Sequence, residues 1–248
     1  MKKYKFILIL IILYIYTNVI FTHENNLNIA VSANFLSTFK IIAKKFEKNY
    51  NCNLIISTDS TSSLFKKIIN GAPFDIFISA DDKHPILIEK NKNQKYKSKI
   101  YAYGNLVIWK KKNKIKKNIL INIKKYTNIS LAHSKLSPYG NASKKIYNNL
   151  NIKNTNVILG LNINQTFNFI YSENSKIGLI ALSQVIHNKI KKKYIWKIPP
   201  YLYPKIEQRI ILIENLKTNK FKKKLLTYMN TKEIKKIIKK SGYKIKND

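Results

Sequence analysis

Apolar residues in this chain gather into short unbroken runs, and between the runs they return every three or four positions. Ile29 to Val31, Leu54 to Ile56, Ile76 to Ile78, Leu106 to Trp109, Ile129 to Ala132, Val157 to Leu159, Ile177 to Leu182 and Ile210 to Ile213 have the length and β-branched content of buried strands. Between the first two, Phe35, Phe39, Ile42 and Phe46 fall at i, i+4, i+7 and i+11, which places them on one face of a helix that packs on the sheet. Near the end, Phe221, Leu225 and Tyr228, then Ile234, Ile237 and Ile238, predict two amphipathic helices, with Gly242 past the second as its stop. Strands alternating with helices in this way predict an α/β protein with parallel strands.

Two segments interrupt the alternation. Tyr101 to Tyr103 with Gly104-Asn105, and Pro199-Pro200-Tyr201-Leu202-Tyr203-Pro204, read as crossovers bracketing a central segment. The predicted organisation is two-lobed, with residues 27–103 plus 203–248 as lobe 1 and residues 104–202 as lobe 2. Each lobe is expected to be a mostly parallel sheet flanked by helices, and two hinge crossovers let the lobes close on what lies between them.

The chain has 248 residues, 45% of them hydrophobic, enough for the cores of two small lobes. Its net charge of +35 raises nucleic acid or an anionic membrane as a partner. Lys, Asn, Ile and Tyr are enriched together throughout, however, which fits compositional drift toward A/T-rich codons better than a designed basic patch. Lys2, Lys3 and Lys5 precede an apolar run from Phe6 to Tyr16, the layout of an export signal. Residues 1–26 are therefore expected to be a signal peptide or a retained N-terminal anchor, with the mature protein starting near His23 to Asn28 and residing in the periplasm. The single Cys52 has no partner for an internal disulfide, and its apolar neighbours Leu54 to Ile56 predict a packed thiol.

Four places share one layout, in which a strand ends, polar or turn-forming residues follow, and a helix begins. They are Ser32-Ala33-Asn34, Ser60-Thr61, Pro138-Tyr139-Gly140-Asn141 and Asn162-Ile163-Asn164. Each puts a helix N-terminus at the carboxyl end of a strand, where open α/β sheets bind ligands and where free amides and hydroxyls attract anions. The first two belong to one predicted lobe and the last two to the other, so together they can surround a small ligand. Taken singly, Asn34, Ser60 and Thr61 are ordinary helix caps.

Enzymatic chemistry has little apparatus. His23, His84, His133 and His187 lack metal-ligand spacing, there is no phosphate-cradling glycine loop, and Gly-x-Ser-x-Gly is absent. Asp75 reads as a strand-start residue and Asp81-Asp82 as a loop, because no cluster completes a catalytic or cation site around them.

The hydroxyl-rich run Ser57-Thr58-Asp59-Ser60-Thr61-Ser62-Ser63, the stretch Asn70-Gly71-Ala72-Pro73 and the strand ending Ser79-Ala80-Asp81 closely resemble the periplasmic molybdate-binding proteins of ABC transporters. Pro138-Tyr139-Gly140, Leu159-Gly160-Leu161-Asn162-Ile163, Ala181-Leu182-Ser183-Gln184 and Tyr203-Pro204-Lys205-Ile206-Glu207-Gln208 follow in family order, so the resemblance covers essentially the whole mature chain. It implies the type II periplasmic binding protein fold and a non-enzymatic function: capture of molybdate or tungstate and delivery to an inner-membrane permease, by a monomer, with no cofactor and no nucleic acid. It implies ligand contacts at Asn34, Thr61 with its neighbour Ser60, Tyr139 and the backbone amide of Ile163, all to the oxygens of the anion rather than to its metal. The Ala181 and Tyr203 motifs read as structural. Some members carry a hydroxyl donor where this chain has Ala33 or Ala181, and the reading lets Asn34 and Tyr139 stand in for them.

The donor chemistry suits such a ligand. Molybdate is fully deprotonated at neutral pH, so its oxygens only accept hydrogen bonds, and amides and hydroxyls match it without a lysine. Phosphate retains a proton and calls for a carboxylate acceptor; Asp59, two residues before Thr61, is the one acidic candidate nearby. Sulfate shares the proton-free state and remains an alternative ligand. A membrane-anchored basic protein that binds nucleic acid or anionic lipid is the rival from another class, and an enzyme acting on an oxyanion ester is a third.

Overall fold

The computed structural model describes residues 25–90, 94–116, 119–152, 156–214 and 219–245. The expected signal peptide or anchor falls outside the described residues as far as residue 24. Among the described residues no helix is long and apolar enough to cross a membrane.

Lobe 1 opens with β1 (Asn26–Ser32), which leads through a 3-10 turn (Ala33–Phe35) into α1 (Leu36–Tyr50). It continues with β2 (Asn53–Asp59), α2 (Thr61–Ile69), β3 (Ile76–Ile78), α3 (Lys83–Glu89) and β4 (Lys99–Gly104). Lobe 2 contains β5 (Leu106–Trp109), α4 (Ile119–Asn122), β6 (Asn128–Ala132), α5 (Pro138–Asn149), β7 (Asn156–Gly160), α6 (Ile163–Tyr171), β8 (Gly178–Ala181), α7 (Leu182–His187) and β9 (Ile195–Lys197). The chain then re-enters the first sheet as β10 (Ile206–Leu212) and finishes with α8 (Lys220–Met229) and α9 (Lys232–Lys240).

Two five-stranded sheets result, ordered β2-β1-β3-β10-β4 and β7-β6-β8-β5-β9. Their parallel ladders are β1 with β2 and β3 in one sheet, and β6 with β7 and β8 in the other. β10 and β5 each run against both of their neighbours, so one reversed strand is built into each sheet. These are the strands beside the two crossovers. The sheets are mixed because the chain must enter and leave each lobe at that edge.

Two expectations need correction here. Tyr101 to Tyr103 is part of β4, an edge strand paired with β10, and not a free crossover; its β-rich tyrosines supply ladder partners. The connection between sheets shrinks to Asn105, whose side chain donates to the Gly242 carbonyl at 2.8 Å. Ile195–Lys197, unmarked by any long apolar run, forms the short edge strand β9 against β5.

The helical stripes do what their periodicity predicts. Phe35, Phe39, Ile42 and Phe46 are all completely buried, in one core with Leu225, Tyr228, Ile234 and Ile238 from α8 and α9. A second core joins β5, β6 and β8 to α5 through Ile108, Ile129, Leu179 and Ile146. Gly242 closes α9 at φ 92, a left-handed position that favours glycine. Cys52 packs into the first core, where burial pushes its thiol up to about 11.

Lysine is not confined to the surface. Lys222 of α8 is 5% exposed and meets the equally buried Asp75 at 3.1 Å. Asp75 also accepts the Asn28 amide at 2.9 Å, while the Lys222 ammonium reaches the Ile213 carbonyl at 3.3 Å. Asp75 is thus more than a strand-start residue: it ties the beginning of β1, the end of β10 and α8 together.

Candidate functional site

The helix starts singled out in the sequence come together where the lobes meet. Ser32 ends β1 and Thr61 begins α2, and their hydroxyls lie 3.0 Å apart in buried surroundings. The Ser32 oxygen also accepts the Ala80 amide at 3.2 Å, which leaves the Ser32 proton free to point at Thr61 or at a guest. From lobe 2, the Asn164 side chain donates to the Ala33 carbonyl at 3.1 Å, and the Ser183 hydroxyl to the Asn34 carbonyl at 3.3 Å. The starts of α6 and α7 therefore press on the 3-10 turn that follows β1.

Each sequence-predicted residue has a definite place. Thr61 sits at the first turn of α2 with its hydroxyl toward Ser32. Ser60 is the cap of that helix: its oxygen accepts the Ser63 amide at 3.3 Å and its proton goes to the Ser63 hydroxyl at 2.7 Å. The Ser60 hydroxyl is accordingly spent on its own helix. Asn34 is buried, but its carboxamide turns away from the hydroxyl pair, donating to Gln208 Oε1 at 3.0 Å and to the Tyr243 hydroxyl at 3.3 Å. What Asn34 can offer a ligand is its backbone N–H at the helix start. Tyr139 opens α5, fully buried, and accepts from Gln208 Nε2 at 3.1 Å. Ile163 begins α6, where the Asn162 cap takes the amides of Asn164 and Gln165 at 3.0 Å each. Among the described residues the Ile163 N–H keeps no acceptor, so it remains a donor, and Gln184 fixes its carbonyl at 3.0 Å.

Sequence reasoning missed two residues. Ser32 supplies a hydroxyl one residue before Ala33, where some family members carry theirs; the visible signal was a hydroxyl at a strand end. Gln208, inside a segment that reads as structural, joins Asn34 to Tyr139. Asp59 needs no ligand role: its carboxylate accepts the Ser60 amide at 2.7 Å and pairs with Lys67 at 3.1 Å.

The donor set is neutral. It consists of hydroxyls and first-turn amides at helix N-termini, where the helix dipole adds partial positive charge. Burial pushes the Tyr139 phenol well above its usual range, so it stays protonated. Such a set suits an anion whose oxygens only accept hydrogen bonds.

A cavity of about 510 Å³ lies between residues of both lobes, lined by Asp81, His84, Lys135 and Lys205 among others. Beside it, Ser62 Oγ is 3.3 Å from His84 Nε2, and His84 Nδ1 is 2.7 Å from Asp81. The order is that of a hydrolase relay, but the hydrogen bonds serve another purpose. The Ser62 hydroxyl donates to the Lys135 carbonyl at 3.0 Å and its amide to the Leu136 carbonyl at 3.3 Å, so the group latches one lobe to the other. Thr38 and His187 make a second such contact at 2.9 Å.

The model of the family described as bacterial extracellular solute-binding protein matches residues 27–244. A molybdate-binding protein ModA from Azotobacter vinelandii is 32% identical over 222 residues, covering 87% of this chain and 88% of that one. Its counterpart from Rhodobacter capsulatus is 28% identical over 225 residues, 86% of each chain. The solved structure of the Azotobacter vinelandii periplasmic molybdate-binding protein superposes with a TM-score of 0.80 at 24% identity, covering 88% of this chain and 98% of that one. With two five-stranded mixed sheets and a family match over nearly its whole described length, the chain belongs to the bacterial extracellular solute-binding proteins.

Proposed function

We propose that this protein is the solute-binding component of a molybdate ABC transporter, capturing molybdate or tungstate between its lobes outside the inner membrane and handing it to the permease. The observation that carries the reading is the Ser32–Thr61 hydroxyl pair at the junction of the lobes, backed by helix-start amides and by no charged side chain in the donor set. The ligand is held by Thr61 and Ser32 through their hydroxyls, by Asn34 and Ile163 through backbone amides, and by Tyr139; Ser60 keeps α2 in place beneath Thr61. The lobes are residues 27–103 with 203–248, and residues 104–202. Both walls of the cleft come from one chain, so a monomer suffices. The molybdate-binding relatives support this reading over a membrane-anchored basic protein, and over an enzyme.

Calorimetric titration of the mature protein decides the matter. Molybdate and tungstate are expected to bind more tightly than sulfate; sulfate binding as tightly, or no oxyanion binding at all, overturns the assignment.

A further inference from the structure

The contact between Ser62 and Lys135 joins the lobes at the turn of α2 that carries Thr61, and the protons along it can be counted. One end is Asp81. Its Oδ1 accepts the Ser79 hydroxyl at 3.0 Å and the His84 amide at 3.1 Å, and its Oδ2 lies 2.7 Å from His84 Nδ1. A carboxylate so engaged only accepts, so Nδ1 carries a proton. The other end is the Lys135 carbonyl, which also only accepts, so the Ser62 hydroxyl donates to it at 3.0 Å. His84 Nε2 and Ser62 Oγ, 3.3 Å apart, form the middle link. Three bonds thus lie between two pure acceptors, and they need three protons. Ser62 supplies one. A neutral imidazole supplies one more, and only the imidazolium supplies both that remain.

With the ring neutral, Nε2 presents a lone pair, and the single Ser62 proton must serve both it and the Lys135 carbonyl. One acceptor is then left short where that is costly: Ser62 is 8% exposed, and the side chains of His84 and Asp81 are 13% and 15% exposed. The charge on His84 therefore decides whether the hydroxyl is committed across the lobes or turned back into lobe 1.

The surroundings of the ring are defined. Phe65 of α2 packs its ring 4.8 Å from that of His84. Asp81, Asp82 and Lys83 flank His84 on its own segment, while Lys135 from lobe 2, and Lys205 and Glu207 beside β10, line the same cavity. Glu207 is held by Arg209 at 2.8 Å, and the Lys205 ammonium lies over the Tyr103 ring at 4.1 Å. His133 accepts the Lys135 amide at 3.2 Å and is the other histidine beside the latch. The latch adjoins the candidate site at two points: Ser62 follows Thr61 in α2, and Asp81 follows Ala80, whose amide donates to Ser32 at 3.2 Å.

We propose that His84 is a positioning residue of the cleft: as an imidazolium anchored on Asp81, it commits the Ser62 hydroxyl to the Lys135 carbonyl and so keeps lobe 2 closed on the helix start that carries Thr61. This rests on the oxyanion-capture function proposed above. Rising pH discharges the ring, turns Ser62 away from the far lobe and speeds release of the enclosed anion.

Stopped-flow measurement of molybdate release between about pH 6 and 8.5, a span over which histidines lose their charge, tests this in wild type, His84→Gln, Ser62→Ala and the double variant. In wild type the release rate should rise about two- to tenfold across the range, the value of one hydrogen bond. His84→Gln and Ser62→Ala should each flatten that rise, and the double variant should be no flatter than either single one, because both substitutions break one chain. Whatever His133 and His187 contribute is common to all four proteins and cancels in the comparison. Parallel profiles in wild type and His84→Gln overturn the inference, as does a further flattening by His84→Gln in the Ser62→Ala background. Should His84→Gln not fold, Ser62→Ala alone carries the comparison, and a profile parallel to wild type overturns the inference. Paired spin labels, one on each lobe, read the same device without a ligand. Their short-distance population should shrink with rising pH in wild type and hold level in His84→Gln; a wild type whose distances ignore pH overturns the inference. A wild type that binds no oxyanion but keeps the pH-dependent distances sinks the functional reading and leaves the latch standing.

Discussion

Removing the Thr61 hydroxyl tests the heart of the site, and the structure sets the size of the effect. The Thr61 and Ser32 hydroxyls bond to each other at 3.0 Å, and with Thr61 as the donor a bound anion takes its proton from that neutral hydrogen bond. The bond gained, to a charged acceptor, contributes about 1.5 to 3 kcal/mol, and the neutral one given up about 0.5 to 1.5. The difference that Thr61→Ala removes is therefore about 1 to 2 kcal/mol, or roughly a five- to thirtyfold loss of affinity for molybdate. Thr61→Ser, which keeps the hydroxyl at the same helix position, should stay within about threefold of wild type. Ser32→Ala is a poorer probe, since it also strips the buried Ala80 amide of its acceptor and costs stability as well as binding. Calorimetric titration measures the affinities, and thermal melting with and without ligand provides an independent readout through mass action. Thr61→Ala binding molybdate as tightly as wild type would show that the hydroxyl pair does not face the ligand.

Two further outcomes probe the frame around the cleft. Lys222→Met leaves the Asp75 carboxylate buried with the Asn28 amide but without its ammonium; denaturant unfolding should show a loss of about 3 kcal/mol, mostly restored in Lys222→Met/Asp75→Asn, and a loss below about 1 would refute the clamp. Burial lowers the pKa of His187, which meets Thr38 across the lobes at 2.9 Å. The folded protein thus holds fewer protons on this ring than the unfolded chain, so its contribution is present above the ordinary value near 6.5 and fades as pH falls below it. Melting curves between about pH 7.5 and 5.5 should show wild type losing more stability on acidification than His187→Gln, and parallel losses would refute the assignment.

Strand and helix positions were legible because they rest on local periodicity: Phe35, Phe39, Ile42 and Phe46 announce a buried face whatever they pack against. The helix starts were legible too, since capping residues at strand ends carry their chemistry in a few adjacent positions. The edge strands β4 and β9 were not, because a strand with one neighbour needs no continuous apolar run, and tyrosine-rich or short segments read equally well as loops. Direction was hidden for a different reason. Whether Asn34 points its carboxamide or its backbone amide at the cleft depends on Gln208 and Tyr243, which lie 174 and 209 residues away in sequence. The Ser60-Thr61 pair shows the same limit on a smaller scale. Both hydroxyls suit an anion, and only the arrangement of α2 sends one to Ser63 and the other to Ser32.

A chain with 47 lysines and arginines against 12 acidic residues nevertheless builds its candidate site from neutral donors, and the contrast has a physical reason. An ammonium inside a closed cleft attracts any anion, protonated or not, so it raises affinity without discriminating between ligands. Hydroxyls and amides discriminate because each must find an acceptor, and a ligand that presents a proton instead leaves a buried donor unsatisfied, at about 1 to 3 kcal/mol for each mismatch. Lysine is useful farther out, where its field raises encounter rates with small anions and is screened once the ligand is enclosed. Lys83, Lys135 and Lys205 line the cavity between the lobes, with Asp81, Asp82 and Glu207 among them. Charge gathers the ligand, and directional hydrogen bonds select it.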